Sequence, residues 1–245
     1  MASSLIDRQA VMSALQLSRI VVASNNLGKL TEIGAILTPL DIEIIAQSAL
    51  GVTEAEEPHC TFVENALAKA RHASEHTGLP ALADDSGICV DALDGAPGVH
   101  SARFAGPPPA GANGDRDGQD ERNNAKLLEL LAGNTNRRAH YYCVIVLTRR
   151  ADDPQPVICE AEWQGEIATV PRGTGGFGYD PLFLLPALGR TAAELLPGHK
   201  NQVSHRAKAL ALLAARLRAE RRQDRGSRMQ DEGPRIEDRG SRGPR

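Results

Sequence analysis

RGTGGFGYDP, residues 172–181, decides between two kinds of α/β fold. Gly173, Gly175 and Gly178 carry the GxGxxG spacing of a dinucleotide-binding loop. In a Rossmann unit that loop follows a strand and opens a helix, because the helix N-terminus meets the pyrophosphate. Here Tyr179, Asp180 and Pro181 come next, then an apolar run over 182–185 closed by Pro186, which reads as a short buried strand. Glu194 falls near the ~20-residue offset of a ribose-binding acid, but no helix and second strand intervene to carry it. The loop therefore reads as a strand-to-strand connection whose glycines let the backbone approach a ligand closely.

Outward from that loop, the chain alternates strands and helices. Upstream, 141–148 and 157–163 read as partners across a turn at 152–156, and 165–170 as a further strand. Near the start, RIVVA (19–23) is a compact buried strand that runs into SNNLGK (24–29) and then a helical pattern to Leu37, stopped by Pro39. Residues 41–46 predict a second strand and 54–58 (EAEEP) an acidic loop. Thr61 with Glu64 makes a capping box for a helix over 62–76. Residues 79–83 lead as a strand into the polar loop DDSG (84–87), and 88–92 continue extended. Helices are predicted over 120–131 and 205–218. The expected fold is α/β, a mixed β-sheet flanked by helices.

Composition limits what the chain can do. Hydrophobic residues make up 41% and aromatics only 3%, enough for one domain, or one with an appended lobe, whose core is built from Ala, Leu, Val and Ile. The net charge is −3, and residues 219–245 carry eight Arg against six acids, leaving the rest at −5. An acidic body lacks the basic stripe of a duplex binder, so no stable nucleic-acid partner is expected. It is compatible with a nucleotide enzyme that recruits a divalent cation. Cys60, Cys89, Cys143 and Cys159 show no disulfide or zinc spacing. No signal-peptide pattern and no apolar run near ~20 residues is present, so no membrane association and a cytoplasmic location are expected. Residues 1–18 read as an N-terminal extension and 19–218 as the main domain. Residues 107–119 read as a Pro/Gly-rich surface excursion, and 219–245, with its QDRGSR and EDRGSR repeats, as a disordered charged tail.

Four polar segments carry candidate chemistry. Ser24, Asn25, Asn26, Leu27, Gly28 and Lys29 sit between a strand and a helix start, where backbone N–H groups and a lysine suit phosphate, although a plain N-cap would look the same. Glu56 and Glu57, with Asp84 and Asp85, are hard oxygen ligands suited to Mg²⁺, and a carboxylate beside such an ion can take a proton from water. Lys69 lies on the capped helix, as a ligand or as a charge on its face. HKNQVSHR (199–206) gathers Lys200, Ser204, His205 and Arg206 before the last helix, against the dipole preference for acids there.

Taken in order, SNNLGK, TFVENALAKA, ADDSGICVDALDGAPGVHSARFAG, GTGGFGYDPLF and SHRAKAL resemble the inosine/xanthosine triphosphate pyrophosphatase family over residues 19–217. The resemblance implies hydrolysis of ITP, dITP or XTP to the monophosphate and pyrophosphate with Mg²⁺, in a cleft between two lobes of a homodimer subunit. Asp85 would be the catalytic proton acceptor and a metal ligand, with Ser86 beside it on the substrate and Glu56 or Glu57 as the second metal carboxylate. Residues 24–29 would hold phosphates. Phe177, Gly178, Tyr179, Asp180, Lys200, His205 and Arg206 would recognise the nucleotide, Phe177 by stacking on the base and Asp180 by accepting from its ring N–H. A pyrophosphatase for modified pyrimidine triphosphates would share the phosphate machinery and differ on the base side. A non-catalytic nucleotide-binding module would gain little from two acids beside a triphosphate.

Overall fold

The computed structural model of the chain describes residues 17–107 and 116–231. β1 (Arg19–Val22) ends in a loop from which Asn26 caps α1 (Leu27–Leu37), its Oδ1 accepting from the N–H of Gly28 at 2.9 Å and of Lys29 at 3.3 Å. A side-chain oxygen there satisfies donors that every helix start leaves unpaired. After β2 (Glu43–Ala46), α2 (Phe62–Thr77) is capped by Thr61 and closed by Gly78 in the left-handed region. Then follow β3 (Ala81–Val90), α3 (Arg116–Leu130), β4 (Arg138–Thr148) and β5 (Val157–Ile167). Short β6 (Phe183–Leu185) and β7 (Arg190–Thr191) precede α4 (Pro197–Val203) and α5 (His205–Asp231).

One seven-stranded sheet runs β2-β1-β3-β4-β5-β6-β7, parallel among the first three strands and antiparallel beyond, so the expected mixed α/β sheet is present. Side chains alternate across it. Ile20, Val22, Leu82 and Ile145 face α1 and α5, packing with Ile33, Leu37, Leu210 and Leu213. Val21, Ala81, Ala83 and Val144 face α2, where the small residues Ala66, Ala70 and Ala73 meet them. A separate cluster, with Ile88, Val90, Leu127, Tyr141, Trp163 and Phe183, fills the far halves of β3, β4 and β5 together with β6 and α3. Two lobes thus share three long strands. β1 pairs with β3 only at Ala81 and Leu82, whereas β3 runs on to Val90, and this mismatch opens a notch between the lobes.

Several expected boundaries move. Residues 84–87 are not a loop: they lie inside β3, with Asp84 opposite Ile145 and Asp85 opposite Val144. A full-length partner strand overrides the local turn preference of Asp, Ser and Gly. For the same reason 165–170 is no separate strand, because β4 offers partners as far as Arg138, opposite Glu166, and β5 continues unbroken to Ile167. The segment before the last helix is itself helical over Pro197–Val203, opened by Pro197, whose fixed φ suits a first helical position. α5 does not stop at Arg218. It reaches Asp231, with Glu220 paired to Arg149 at 3.4 Å and Arg221 donating to the Leu40 carbonyl. The rest of the expected tail, most of the 1–18 extension and the centre of the 107–119 excursion lie outside the described residues.

Candidate active site

A cavity of about 460 Å³ occupies the notch. Ser24, Asn25, Asn26, Lys29, Glu57, Lys69, Asp84 and Ser86 line it from the first lobe, and Ser101, Asp120, Tyr141 and residues 177–180 from the second. Lys200, Ser204, His205 and Arg206 close it from α4 and the start of α5. Leu27 and Glu56 are exposed and do not line the cavity. Gly28 contributes by its smallness, since a Cβ there would stand 3.2 Å from the Phe177 ring.

The charged end is organised on β3, whose alternation sends its two acids to opposite faces. Asp84, 2% exposed, receives Lys29 Nζ at 3.0 Å and Arg206 Nε at 3.1 Å on a single oxygen, Oδ2. Arg206 also donates to Ser86 Oγ at 3.0 Å and pairs with Glu32. Burial pushes the Asp84 carboxyl up, but Lys29, Arg206 and Lys69 outweigh it and hold its pKa far below the ordinary carboxylate value. It is a permanent anion that fixes two cations. Asp85 meets Lys69 Nζ at 3.0 Å and Asn65 Nδ2 at 3.4 Å, and reaches the cavity through Lys69, which lines it. Burial and then the neighbouring Glu57 charge leave the Asp85 pKa raised, Lys69 compensating only in part. The two neighbouring acids thus shift in opposite directions, Asp84 down and Asp85 up.

Lys69 is no surface charge: it is buried on α2 and bridges Asp85 to Glu57, 3.0 Å from each. Burial lowers its pKa, and Asp85, Asp84 and Glu57 more than restore it, so it stays charged. Glu57 is held also by Arg103 at 3.4 Å; burial acts to raise its pKa, and Lys69, Lys29 and Arg103 bring it below the ordinary value. Buried Asn65 ties this loop to the strand, accepting from His59 N–H at 3.0 Å and donating to the His59 carbonyl at 3.2 Å and to Asp85. Among the described residues no three His, Cys, Asp or Glu side chains form a metal cage. Glu57 and Asp85, drawn together by one ammonium, fit instead an ion that takes two carboxylates and completes its shell with water and substrate oxygens, as Mg²⁺ does.

At the other end the glycine loop folds around Asp180. Its Oδ2 accepts from Phe177 N–H at 2.9 Å and from Lys200 Nζ at 2.6 Å, and its Oδ1 accepts from Tyr141 Oη at 3.4 Å. Asp180, which also lines the cavity, is thus held in place by three protein donors, two of them on Oδ2. Gly176, in the left-handed region, is required here because a Cβ would stand 2.0 Å from Asp180 Oδ2. Phe177 is half-buried, with Lys200 Nζ 4.9 Å and the Arg206 guanidinium 5.9 Å from its centroid. Tyr179 is buried and donates to the Ser101 carbonyl at 2.8 Å. His205 stacks on Tyr141 with centroids 4.6 Å apart. Burial, then Arg206 and Lys200, hold its pKa well below the ordinary value, so the imidazole is neutral, and its buried Nδ1 has no protein partner. Tyr141 and Ser101 are not legible in the sequence as cavity residues, because each reaches the cavity through packing against a distant segment.

Residues 20–216 match the Ham1 family. A protein of Nitrosomonas europaea described as a dITP/XTP pyrophosphatase is 64% identical over 201 residues, 82% of this chain and 95% of that protein. One of Ralstonia nicotianae with the same description is 63% identical over 200 residues, 82% of this chain and 96% of that protein. Among solved structures, a HAM1 protein from Coxiella burnetii matches with a TM-score of 0.74 at 48% identity, covering 82% of this chain and 98% of that one. A nucleoside-triphosphatase / dITP/XTP pyrophosphatase from Mycobacterium abscessus matches with a TM-score of 0.61 at 41% identity, covering 80% and 97%. The chain belongs to the Ham1 family.

Proposed function

We propose that this chain hydrolyses deaminated purine nucleoside triphosphates, dITP, ITP and XTP, to the monophosphate and pyrophosphate, and so clears them from the nucleotide pool. The observation that carries the reading is a single cavity with cations and carboxylates at one end and an aromatic, donor-rich pocket at the other. Descriptions of the Nitrosomonas europaea and Ralstonia nicotianae relatives as dITP/XTP pyrophosphatases support it.

Lys29, Asn26 and the N-terminus of α1 hold phosphates; Asn26 Nδ2 is a buried donor with no protein partner. Asp85 accepts a proton from the attacking water as its oxygen bonds to the α-phosphorus. The bond to the bridging oxygen breaks, and pyrophosphate leaves. Glu57 and Asp85 would hold Mg²⁺, which when bound supplies positive charge against the phosphate oxygens. Phe177 stacks on the purine. Lys200, a pure donor, suits a 6-oxo group and opposes the 6-amino group of adenine, which leaves buried polar groups unpaired in the wrong complex.

The same reading takes the chain as a homodimer acting in the cytoplasm. Four free cysteines and the absence, among the described residues, of a helix long and apolar enough to cross a membrane support that location. The test is a panel of dITP, XTP, dATP and dGTP with Mg²⁺ and identification of products. The expected result is pyrophosphate from dITP and XTP, with kcat/KM at least about 100-fold above dATP. Equal rates across purines would refute the specificity, and orthophosphate as first product the bond assignment.

A further inference from the structure

Gly178, at the turn between Phe177 and Tyr179, has both of its peptide groups held by one helix. Its N–H donates to Asp120 Oδ2 at 2.7 Å, and its carbonyl accepts from Asn124 Nδ2 at 2.9 Å. Asp120 and Asn124 stand at i and i+4 on α3, which places them on one face. Gly178 itself is in the left-handed region, with φ at 64°. An acceptor and a donor four residues apart thus grip a single residue of the base-side loop from opposite sides.

α3 is in turn fastened to the second lobe. Asn123, almost fully buried, accepts from Ala105 N–H at 2.8 Å and donates to the carbonyls of Ser101 and Ala102 at 3.2 Å each. Lys126 Nζ donates to the Phe104 carbonyl at 2.7 Å. The segment so anchored also receives the Tyr179 hydroxyl at Ser101. Every residue of the loop from Phe177 to Asp180 is therefore tied to a fixed element by its backbone or its polar group, while the Phe177 ring is left facing the cavity.

We propose that Asp120 and Asn124 are positioning residues for base selection: by fixing the Gly178 peptides they set where Phe177 stands relative to Lys200 and His205, and hence which purine edge the pocket accepts. This rests on the proposed triphosphate reading and deepens it. The polarity of the grip gives it a signature that general destabilisation lacks. Asp120→Asn keeps a carbonyl oxygen that accepts from Gly178 N–H. Asn124→Asp removes the Asn124 donor to the Gly178 carbonyl and sets a carboxylate against it.

The test compares kcat and KM for dITP and dATP in the full chain with Asp120→Ala, Asp120→Asn and Asn124→Asp, alongside amide hydrogen exchange of residues 173–180. Expected are a fall of about tenfold in the dITP-to-dATP ratio of kcat/KM for Asp120→Ala and Asn124→Asp, and kcat for dITP within about threefold of the parent. Faster exchange of the loop in those two variants and near-parental behaviour of Asp120→Asn are expected with it. A ratio unchanged in both disruptive variants, or a loss of kcat equal for both substrates, overturns the proposal. Should Asp120→Ala fail to fold, the opposed behaviour of the isosteric Asp120→Asn and Asn124→Asp decides. If the parent shows no preference for dITP, the functional reading fails, and unchanged loop exchange would then overturn the grip separately.

Discussion

The two faces of β3 treat neighbouring carboxylates in opposite ways. On the side of α1 and α5, Asp84 is surrounded by Lys29, Arg206 and Ser86 and is locked as an anion; on the side of α2, Asp85 shares one ammonium with Glu57 and is held above its ordinary pKa. Identical residues, adjacent in sequence, receive different chemistry because a strand turns consecutive side chains to different packing environments. One face contributes structure and fixed charge. The other holds the carboxyl that the proposed function takes as the proton acceptor.

Three substitutions would break that contrast if it is wrong. Asp85→Asn is expected to lower kcat by about 10²–10⁴-fold, the usual worth of a positioned base. Its fold should persist, because Lys69 keeps Glu57 as a partner at 3.0 Å, and the Tm at pH 7 should stay close to the parent's. Asp84→Asn should do the reverse to the fold, since it strands Lys29 and Arg206 without their shared anion, at a cost of about 3–5 kcal/mol read as a lower Tm or urea midpoint. Because the folded pKa of Asp84 is depressed, its contribution is complete above the unfolded value near 3.8 and fades as pH falls below that. Lys69→Met should sharpen the assignment of the base. Lys69 lowers the Asp85 pKa, so its loss moves the acid limb of the kcat/KM profile for dITP to higher pH. An acid limb that stays in place would detach that limb from Asp85.

What the sequence disclosed follows the reach of the interactions involved. RIVVA, the Asn26 cap and the helix begun at Thr61 are set by neighbours within a few residues, and they are legible in residue order. Glu56 and Glu57 carry no local difference in residue order; what separates them in the structure is Lys69, twelve residues away on α2, which pairs with Glu57. The ion pair of Asp180 with Lys200, which arrives from α4, is likewise invisible in residue order. The grip on Gly178 spans 58 residues from Asp120 and 54 from Asn124, and no local motif announces it. The extended course of residues 84–87 likewise depends on β4, and with it the separation of Asp84 from Asp85.

Hydrolysis of dITP in ¹⁸O-enriched water tests the central claim most directly. With water delivered past Asp85 to the α-phosphorus, the label appears in deoxyinosine monophosphate and the pyrophosphate is unlabelled. Label in the pyrophosphate, or release of orthophosphate first, would contradict the account.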